Sequence, residues 1–276
     1  HYSPARLVMV DQAESPIYDL QFELCRKEPF ASMNVPIDFI VANVKDKARM
    51  EEIFAEYHPQ LVYHAAAYKH VPLMEQFPYE AVLVNVFGTK TVADLAVKYK
   101  AEKFVMISTD KAVNPTNVMG ATKRMAEIYT QSRHAENTKF ITTRFGNVLG
   151  SNGSVIPLFK KQLAQGGPLT VTDENIIRYF MTIPEACSLV LKASAMGEDG
   201  NIFVFDMGKP VRIYDLAQKM IKLSGMTEVQ IKITGLRPGE KLYEELLATK
   251  ENTIPTNIPQ IMRAKVREYH SETVDK

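Results

Sequence analysis

The chain predicts a doubly wound α/β fold, a parallel sheet with helices on both faces and a smaller C-terminal lobe. Three observations carry that expectation. Strand-like and helix-like segments alternate through the first half of the chain, the pattern that builds parallel sheets. Polar residues able to do chemistry follow directly on apolar runs, and ligands of open α/β sheets bind beyond the carboxyl ends of the strands. After about residue 150, glycine and proline become frequent (Gly150, Gly153, Pro157, Gly166, Gly167, Pro168) and the segments shorten, which marks a change of architecture. The expected division is therefore 1–150 for the sheet domain and 151–276 mainly for the lobe.

Taken in order, Arg6 to Val10 is a short apolar run that reads as a strand, and Ile37 to Val41 is another. Asp46 to Tyr57 has helical periodicity, Leu61 to His64 is strand-like and Ala81 to Lys98 is helical. Phe104 to Ile107 is the next strand, Asn117 to Ser132 the next helix and Phe140 to Arg144 a further strand. Neither an internal repeat nor a low-complexity stretch interrupts this alternation.

Composition narrows the possibilities. A hydrophobic fraction of 46% with a net charge of +1 describes an ordinary globule with no basic excess for nucleic acid. No run approaches the ~18 apolar residues needed to span a bilayer. His1-Tyr2-Ser3-Pro4 leads straight into the first strand, so no signal peptide is expected. Cys25 and Cys187 lack metal-type spacing and read as buried small hydrophobes in a reducing compartment, so the expected location is the cytoplasm. The six histidines are dispersed and no metal site is expected. Tyr2, Tyr57, Tyr63 and most methionines read as packing residues.

No glycine-rich turn of the G-x-G-x-x-G kind precedes Val10, although dinucleotide-binding folds open with one. The chain is therefore expected to begin one β-α unit late, as part of a longer protein. In the usual strand order the missing strand is central, so the sheet should show a gap. Asp11 ends an apolar strand, where a carboxylate accepts both ribose hydroxyls of an adenosine or simply begins a turn. An acid there favours NAD over NADP, whose extra phosphate it repels. Ala65, Ala66 and Ala67 follow a strand and give a cofactor ribose close access to the backbone; a tightly packed turn would use them equally. Lys69 and His70 project from the same turn.

Ser108-Thr109-Asp110-Lys111 stands where the Lys103 to Ile107 run ends, and Met119-Gly120-Ala121-Thr122-Lys123 follows eight residues later. A donor, an acid and a base are thus adjacent at a strand exit. Turn capping alone does not call for four consecutive polar residues. Together with Asn114-Pro115-Thr116-Asn117 and Ala65-Ala66-Ala67-Tyr68-Lys69-His70-Val71-Pro72, this segment resembles the extended short-chain dehydrogenase/reductase superfamily. Within it the chain is similar to UDP-N-acetylglucosamine 4,6-dehydratases and their capsular polysaccharide biosynthesis relatives. That superfamily carries Tyr-x-x-x-Lys where this chain has Met119 and Lys123. Methionine at the tyrosine position resembles the large branch that has transmembrane helices upstream of the catalytic domain. The likeness runs from Asp11 to about Leu247.

The resemblance implies a Rossmann-type domain at 1–150 that binds NAD, a nucleotide-sugar lobe at 151–276, a UDP-sugar substrate and a homo-oligomer. It implies that Asn43-Val44 holds the adenine and that Asn85 steadies the core beside the site. It implies that Ser108 and Lys123 border the nicotinamide ribose. Asn147 and Ser154, in the loop Arg144 to Ser154, and Arg178, Arg237 and Glu240 are implied for the substrate, with Lys69 and His70. Arginine suits a diphosphate because its planar fork binds oxygen pairs. Tyrosine ordinarily removes the proton of the reacting alcohol, and Met119 has none to exchange. The implied roles are Thr109 on the 4-hydroxyl, Asp110 as acid at C6 and Lys111 as base at C5, with Lys69 and Lys123 as the cations beside Lys111. A nucleotide-sugar epimerase and a non-catalytic sugar-nucleotide-binding subunit are the alternatives.

Overall fold

The computed structural model describes residues 4–26, 35–133, 135, 137–245, 253–266 and 269–274; Tyr2 and Leu247 lie outside them. Strands β1 (Leu7–Asp11) and β2 (Ile37–Val41) pair in parallel from Leu7↔Ile37 to Asp11↔Val41. Helix α1 (Glu14–Arg26) connects them. The sequence does not announce this helix, because it buries Ile17 alone and so has no apolar stripe to read. Helix α2 (Lys47–Tyr57) starts on Asp46, whose carboxylate accepts from the backbone of Arg49 at 3.0 Å.

Strands β3 (Leu61–His64), β4 (Lys103–Thr109) and β5 (Lys139–Phe145) continue the parallel pattern. Between β3 and β4 two short helices not expected from the sequence, α3 (Val71–Gln76) and α4 (Pro78–Ala81), come first. The helix expected over Ala81 to Lys98 then contains a π-helical segment Val82–Gly88 before α5 (Thr89–Lys98). The π segment gives Asn85 a position from which it exchanges two hydrogen bonds with the backbone of Tyr68, at 2.8 and 3.0 Å, and donates to Thr122 at 3.0 Å. Such wide turns are frequent beside functional sites. After β4 a 3-10 turn (Asp110–Ala112) leads to α6 (Val118–Gln131).

The remaining chain serves both the sheet and the lobe. Strand β6 (Asn147–Val148) leaves the sheet, and helix α7 (Val155–Ala164), β7 (Leu169–Val171), β8 (Ile177–Arg178) and β9 (Phe180–Met181) follow. Helix α8 (Ile183–Met196) and β10 (Asn201–Phe205) return to the sheet, where β10 lies parallel to β5. Strand β11 (Val211–Arg212) pairs with β8, and α9 (Ile213–Ser224) and β12 (Ile231–Ile233) complete the lobe. The lobe has its own core around Phe159, Leu163, Leu169 and Ala217. Strands β13 (Thr253–Pro255) and β14 (Ile261–Ala264) finish the sheet antiparallel, and α10 (Ser271–Val274) follows. Residues 151–276 are thus divided between the two parts rather than confined to the lobe.

The six-stranded sheet has the order β13-β14-β10-β5-β4-β3, while β1 and β2 pair with each other. Between β1 and β3 the sheet has the gap the sequence predicts, lined by Val8, Val10, Leu61 and Tyr63. Both faces are covered, since Phe104 and Met106 pack with α2, α5 and α6 while the intervening Val105 packs with α8. Cys25 and Cys187 correct the sequence reading, for both are exposed. Helix α8 buries Ala186, Leu189, Val190 and Ala193, and Cys187 falls off that stripe; α1 has little buried face for Cys25 to join.

One buried ionic cluster ties α6 to β5. Arg144 donates to both oxygens of Glu127 at 2.7 and 2.6 Å, and Arg124 adds a bond at 2.9 Å. Burial opposes ionisation of Glu127, but the Arg144 bonds and charge outweigh it and hold the carboxyl below its usual range. Removing one partner strands the other charge in the interior. Arg144→Ala is therefore expected to cost roughly 3–5 kcal/mol in a urea unfolding titration.

Candidate active site

Strand β4 delivers Ser108 and Thr109 in register with Arg144 and Phe145 of β5, and the 3-10 turn then buries Asp110. The Thr109 hydroxyl donates to Asp110 Oδ1 at 2.8 Å. The Lys111 ammonium donates to the same oxygen at 3.0 Å and to Asn147 Oδ1 at 3.1 Å. Glu244 Oε1 is 3.7 Å from Lys111 Nζ. Two carboxylates thus lie against Lys111, and Lys69 and Lys123 line the same cavity.

This turn is seated on the start of α6. A Cβ at Gly120 would lie 2.3 Å from the Lys111 carbonyl oxygen, so only glycine permits the approach. Asn117 caps the helix by accepting from Gly120 N at 2.7 Å, and its amide donates to Gly239 O at 3.0 Å. Glu75 accepts from Val118 N at 2.7 Å. Met119 is buried against Met74 and Ala81. Lys123, one turn on, is buried and donates to Ile107 O at 2.7 Å. Burial lowers its pKa to about 8, with Glu127 opposing the shift. His64, at the end of β3, is lowered to about 3 by burial and then by Lys123, so it is neutral and bonded to Thr89 at 2.9 Å.

Two cavities meet at this end of the sheet. One, of about 390 Å³, occupies the gap and is lined by Asp11, Asn43, Val44, Ala65, Ala66 and Ala67. The other, of about 550 Å³, lies between the sheet and the lobe. Its walls include Lys69, His70, Ser108, Thr109, Lys111, Met119, Lys123, Asn147, Ser154, Arg178, Arg237 and Glu240. Ala65, Ala67 and Tyr68 border both. Asp110 lies just behind this wall, reached through Thr109 and Lys111.

Some side chains already have partners. Asp11 accepts from Ala13 N at 2.8 Å, and Asn43 bonds Gln12 at 2.6 Å and Lys45 N at 2.9 Å, so both also shape their turns. Val44 packs on Gly88. Arg178 is buried and donates to the carbonyls of Ile177, Lys241 and Leu242 at 2.7, 2.8 and 3.2 Å. Its guanidinium thereby anchors the 241–244 segment while lining the cavity. Arg237 is exposed and pairs with Glu240 at 3.1 Å. Burial opposes the charge on Glu240, and Arg237 outweighs it, so the carboxyl lies below its usual range. The Ser154 hydroxyl is buried with no protein partner among the described residues.

Lys69 and Arg237 give the cavity a cationic wall, which His70 joins as a neutral imidazole. Desolvation lowers Lys69; desolvation, then Lys69 and Arg237, lower His70. The His70 ring rests on Gly153, where a Cβ would meet it at 2.4 Å. Among the described residues no cluster of His, Cys, Asp or Glu could hold a metal ion. Glu244 and Glu127 escape the sequence reading. Glu240 and Glu244 both lie against Arg178, in a non-helical segment whose spacing gives no signal in the sequence.

A parallel sheet with a strand-end polar cluster and two confluent cavities defines a Rossmann-type α/β domain. The chain belongs to the polysaccharide biosynthesis protein family, whose description matches residues 1–266. It is 51% identical over 278 residues to the capsular polysaccharide biosynthesis protein CapD of Staphylococcus aureus, covering 99% of this chain and 46% of CapD. It is 49% identical to the probable polysaccharide biosynthesis protein EpsC of Bacillus subtilis, covering 94% and 44%. The chain thus spans less than half the length of these relatives. A UDP-glucose 4-epimerase of Rickettsia rickettsii is 36% identical over 79% of this chain and 64% of its own. Among solved structures, the X-ray structure of Pen from Bacillus thuringiensis superposes with a TM-score of 0.85 at 33% identity, over 95% of this chain and 79% of Pen.

The buried Lys123 makes stability depend on pH. Below pH 8 its ammonium is present in both folded and unfolded chains and the burial penalty is constant. Between about 8 and the ordinary lysine value of about 10.4, the unfolded chain binds more protons, so stability rises with pH. Relative to Lys123→Met, the wild type is expected to gain about 3 kcal/mol across that window, read from urea midpoints.

Proposed function

We propose that this chain is the catalytic domain of a UDP-N-acetylglucosamine 4,6-dehydratase that uses NAD in polysaccharide biosynthesis. The observation that carries the reading is the linked Thr109, Asp110 and Lys111 set, with bonds of 2.8 and 3.0 Å, facing a cavity with a cationic far wall. A nucleoside diphosphate sugar suits that cavity, its diphosphate toward Lys69, His70 and Arg237 and its sugar toward Thr109 and Lys111.

The residues present fit the two nucleoside ends of a dinucleotide. Asp11 and Asn43 stand at strand ends around the first cavity, and the alanines leave a passage to the second, where Lys123 emerges beside Ser108. The acid at Asp11 favours NAD over NADP. When bound, NAD supplies reversible acceptance of hydride. Met119 offers no proton acceptor, and its buried thioether instead closes the cavity wall.

Thr109 takes over the link to the alcohol. Its hydroxyl accepts the 4-hydroxyl proton while its own proton, already directed at Asp110, moves to that carboxylate. Asp110 then holds the proton that the departing C6 hydroxyl requires. Lys111, as the amine, removes the C5 proton made acidic by the C4 ketone. Lys123 orients the nicotinamide ribose. The domain would work as the cytoplasmic part of a membrane-anchored homo-oligomer, and no described helix of this chain is itself long and apolar enough to cross a membrane.

The likeness to a UDP-glucose 4-epimerase favours oxidation without elimination as the second reading. That chemistry leaves the Asp110–Lys111 pair without a task. A non-catalytic sugar-nucleotide-binding subunit would likewise have no use for it. The full-length protein with UDP-N-acetylglucosamine and NAD in deuterated water is expected to yield a product lacking one water and carrying one deuterium at C5, by mass spectrometry. An unchanged or merely isomerised sugar would overturn the dehydratase. Lys111→Ala should lose C5 exchange by roughly 10²-fold or more.

A further inference from the structure

Glu244 has no part in the steps above, yet it is a buried carboxylate in the cavity wall. Its side chain is only 4% exposed, and Oε2 has no protein donor among the described residues. Oε1 is 3.7 Å from Lys111 Nζ and 3.8 Å from Arg178. The Arg178 bonds to the carbonyls of Lys241 and Leu242 fix the backbone that carries it. Glu244 is thus built into the wall rather than hung from a loose tail.

Proton counting shows why the dehydratase needs it; the inference rests on that reading. Lys111 and Asp110 begin as an ammonium–carboxylate pair. When the 4-hydroxyl proton reaches Asp110 through Thr109, Asp110 is a neutral acid and Lys111 is still an ammonium. Lys111 has to give up one proton before it can act on C5. Solvent access is narrow, with the lysine side chain 16% exposed, and Asp110 is already filled. Glu244 is the other carboxylate within 4 Å of Nζ among the described residues.

We propose that Glu244 is a positioning and proton-storing residue for Lys111. It takes one proton from Nζ, leaving an amine aimed at C5. The amine then accepts the C5 proton as the C5–C6 double bond forms and the C6–O bond breaks. The leaving oxygen takes the Asp110 proton and departs as water. When the double bond is reduced, Lys111 returns a proton to C5, and Glu244 returns its proton to Lys111. Every proton is accounted for. The 3.7 Å separation has to shorten by less than 1 Å when substrate fills the cavity, as catalytic contacts commonly do.

The test isolates the C5 step. The full-length protein is incubated with the UDP-4-keto-6-deoxy sugar in deuterated water, and deuterium entry at C5 is followed by NMR. Glu244→Gln is expected to slow exchange by roughly 10²-fold, with UDP-sugar affinity by calorimetry and the melting temperature unchanged. Glu244→Asp, which keeps the carboxylate, should recover much of the exchange. Wild-type exchange in Glu244→Gln would overturn the proposal, as would equal loss of exchange and binding in both variants. If Glu244→Gln does not fold, Glu244→Asp decides alone, and a loss of roughly 10²-fold in a folded variant overturns the proposal. A wild-type protein that converts UDP-N-acetylglucosamine to no 4-keto product overturns the dehydratase reading itself, so the two failures are told apart.

Discussion

Gly120 has no Cβ, and the space one would need is taken by the carbonyl oxygen of Lys111, 2.3 Å from where it would stand. The rest of the site depends on that backbone contact. It sets the start of α6 directly on the turn that carries Asp110 and Lys111, so helix and strand end move as one unit. Asn117, in the cap of the same helix, reaches across to Gly239 and so fixes the lobe's Pro-Gly turn relative to the sheet. Asn85 reaches the helix from the opposite side through Thr122 while holding the backbone of Tyr68. Three loops from distant parts of the chain are thereby referred to one helix N-terminus.

That helix also carries the buried charges. Lys123 and Glu127 lie one turn apart on its inner face, the first bonded to a β4 carbonyl and the second to Arg144 of β5. Glu127 is matched by Arg144 and Arg124, whereas Lys123 has the Ile107 carbonyl and keeps part of its burial penalty. The consequence is directional. Once both bonds form, α6 cannot rotate or slide against the sheet without stranding a charge, and the Gly120 contact is held in register.

Charge is also sorted by position around the larger cavity. Lys69 and Arg237 stand exposed on the outer wall, whereas Glu244 is deep and, with Asp110 just behind the wall, faces Lys111. An outer cationic wall suits an anionic portion of a ligand, and a buried acid–base group suits the portion that reacts. Met119 has no exchangeable proton, and the Thr109–Asp110 bond links the cavity wall to a buried carboxylate.

The sequence by itself determined what short-range physics controls. The alternation of apolar runs and helical periods placed β1 to β5 to within two residues but not β10, and the missing first glycine-rich turn predicted the gap between β1 and β3. Ser108 to Lys111 were legible because four polar residues at the end of a buried run are costly unless used. Helix α1 was not, since a helix that buries one residue leaves no periodic trace. The π-helical break at Val82–Gly88 was hidden too, because Asn85 earns it through partners at Tyr68 and Thr122 that are remote in sequence. Whether a charged residue is free or engaged was decided only by tertiary structure. Arg178 and Arg237 look alike in the chain, yet one is buried on backbone carbonyls and the other is exposed and paired with Glu240. Glu244 became a neighbour of Lys111 only when residues 133 apart in the chain were folded together, as the numbering itself shows. Motif chemistry is local and can be read in a line; the environment that tunes it is set by contacts the line does not contain.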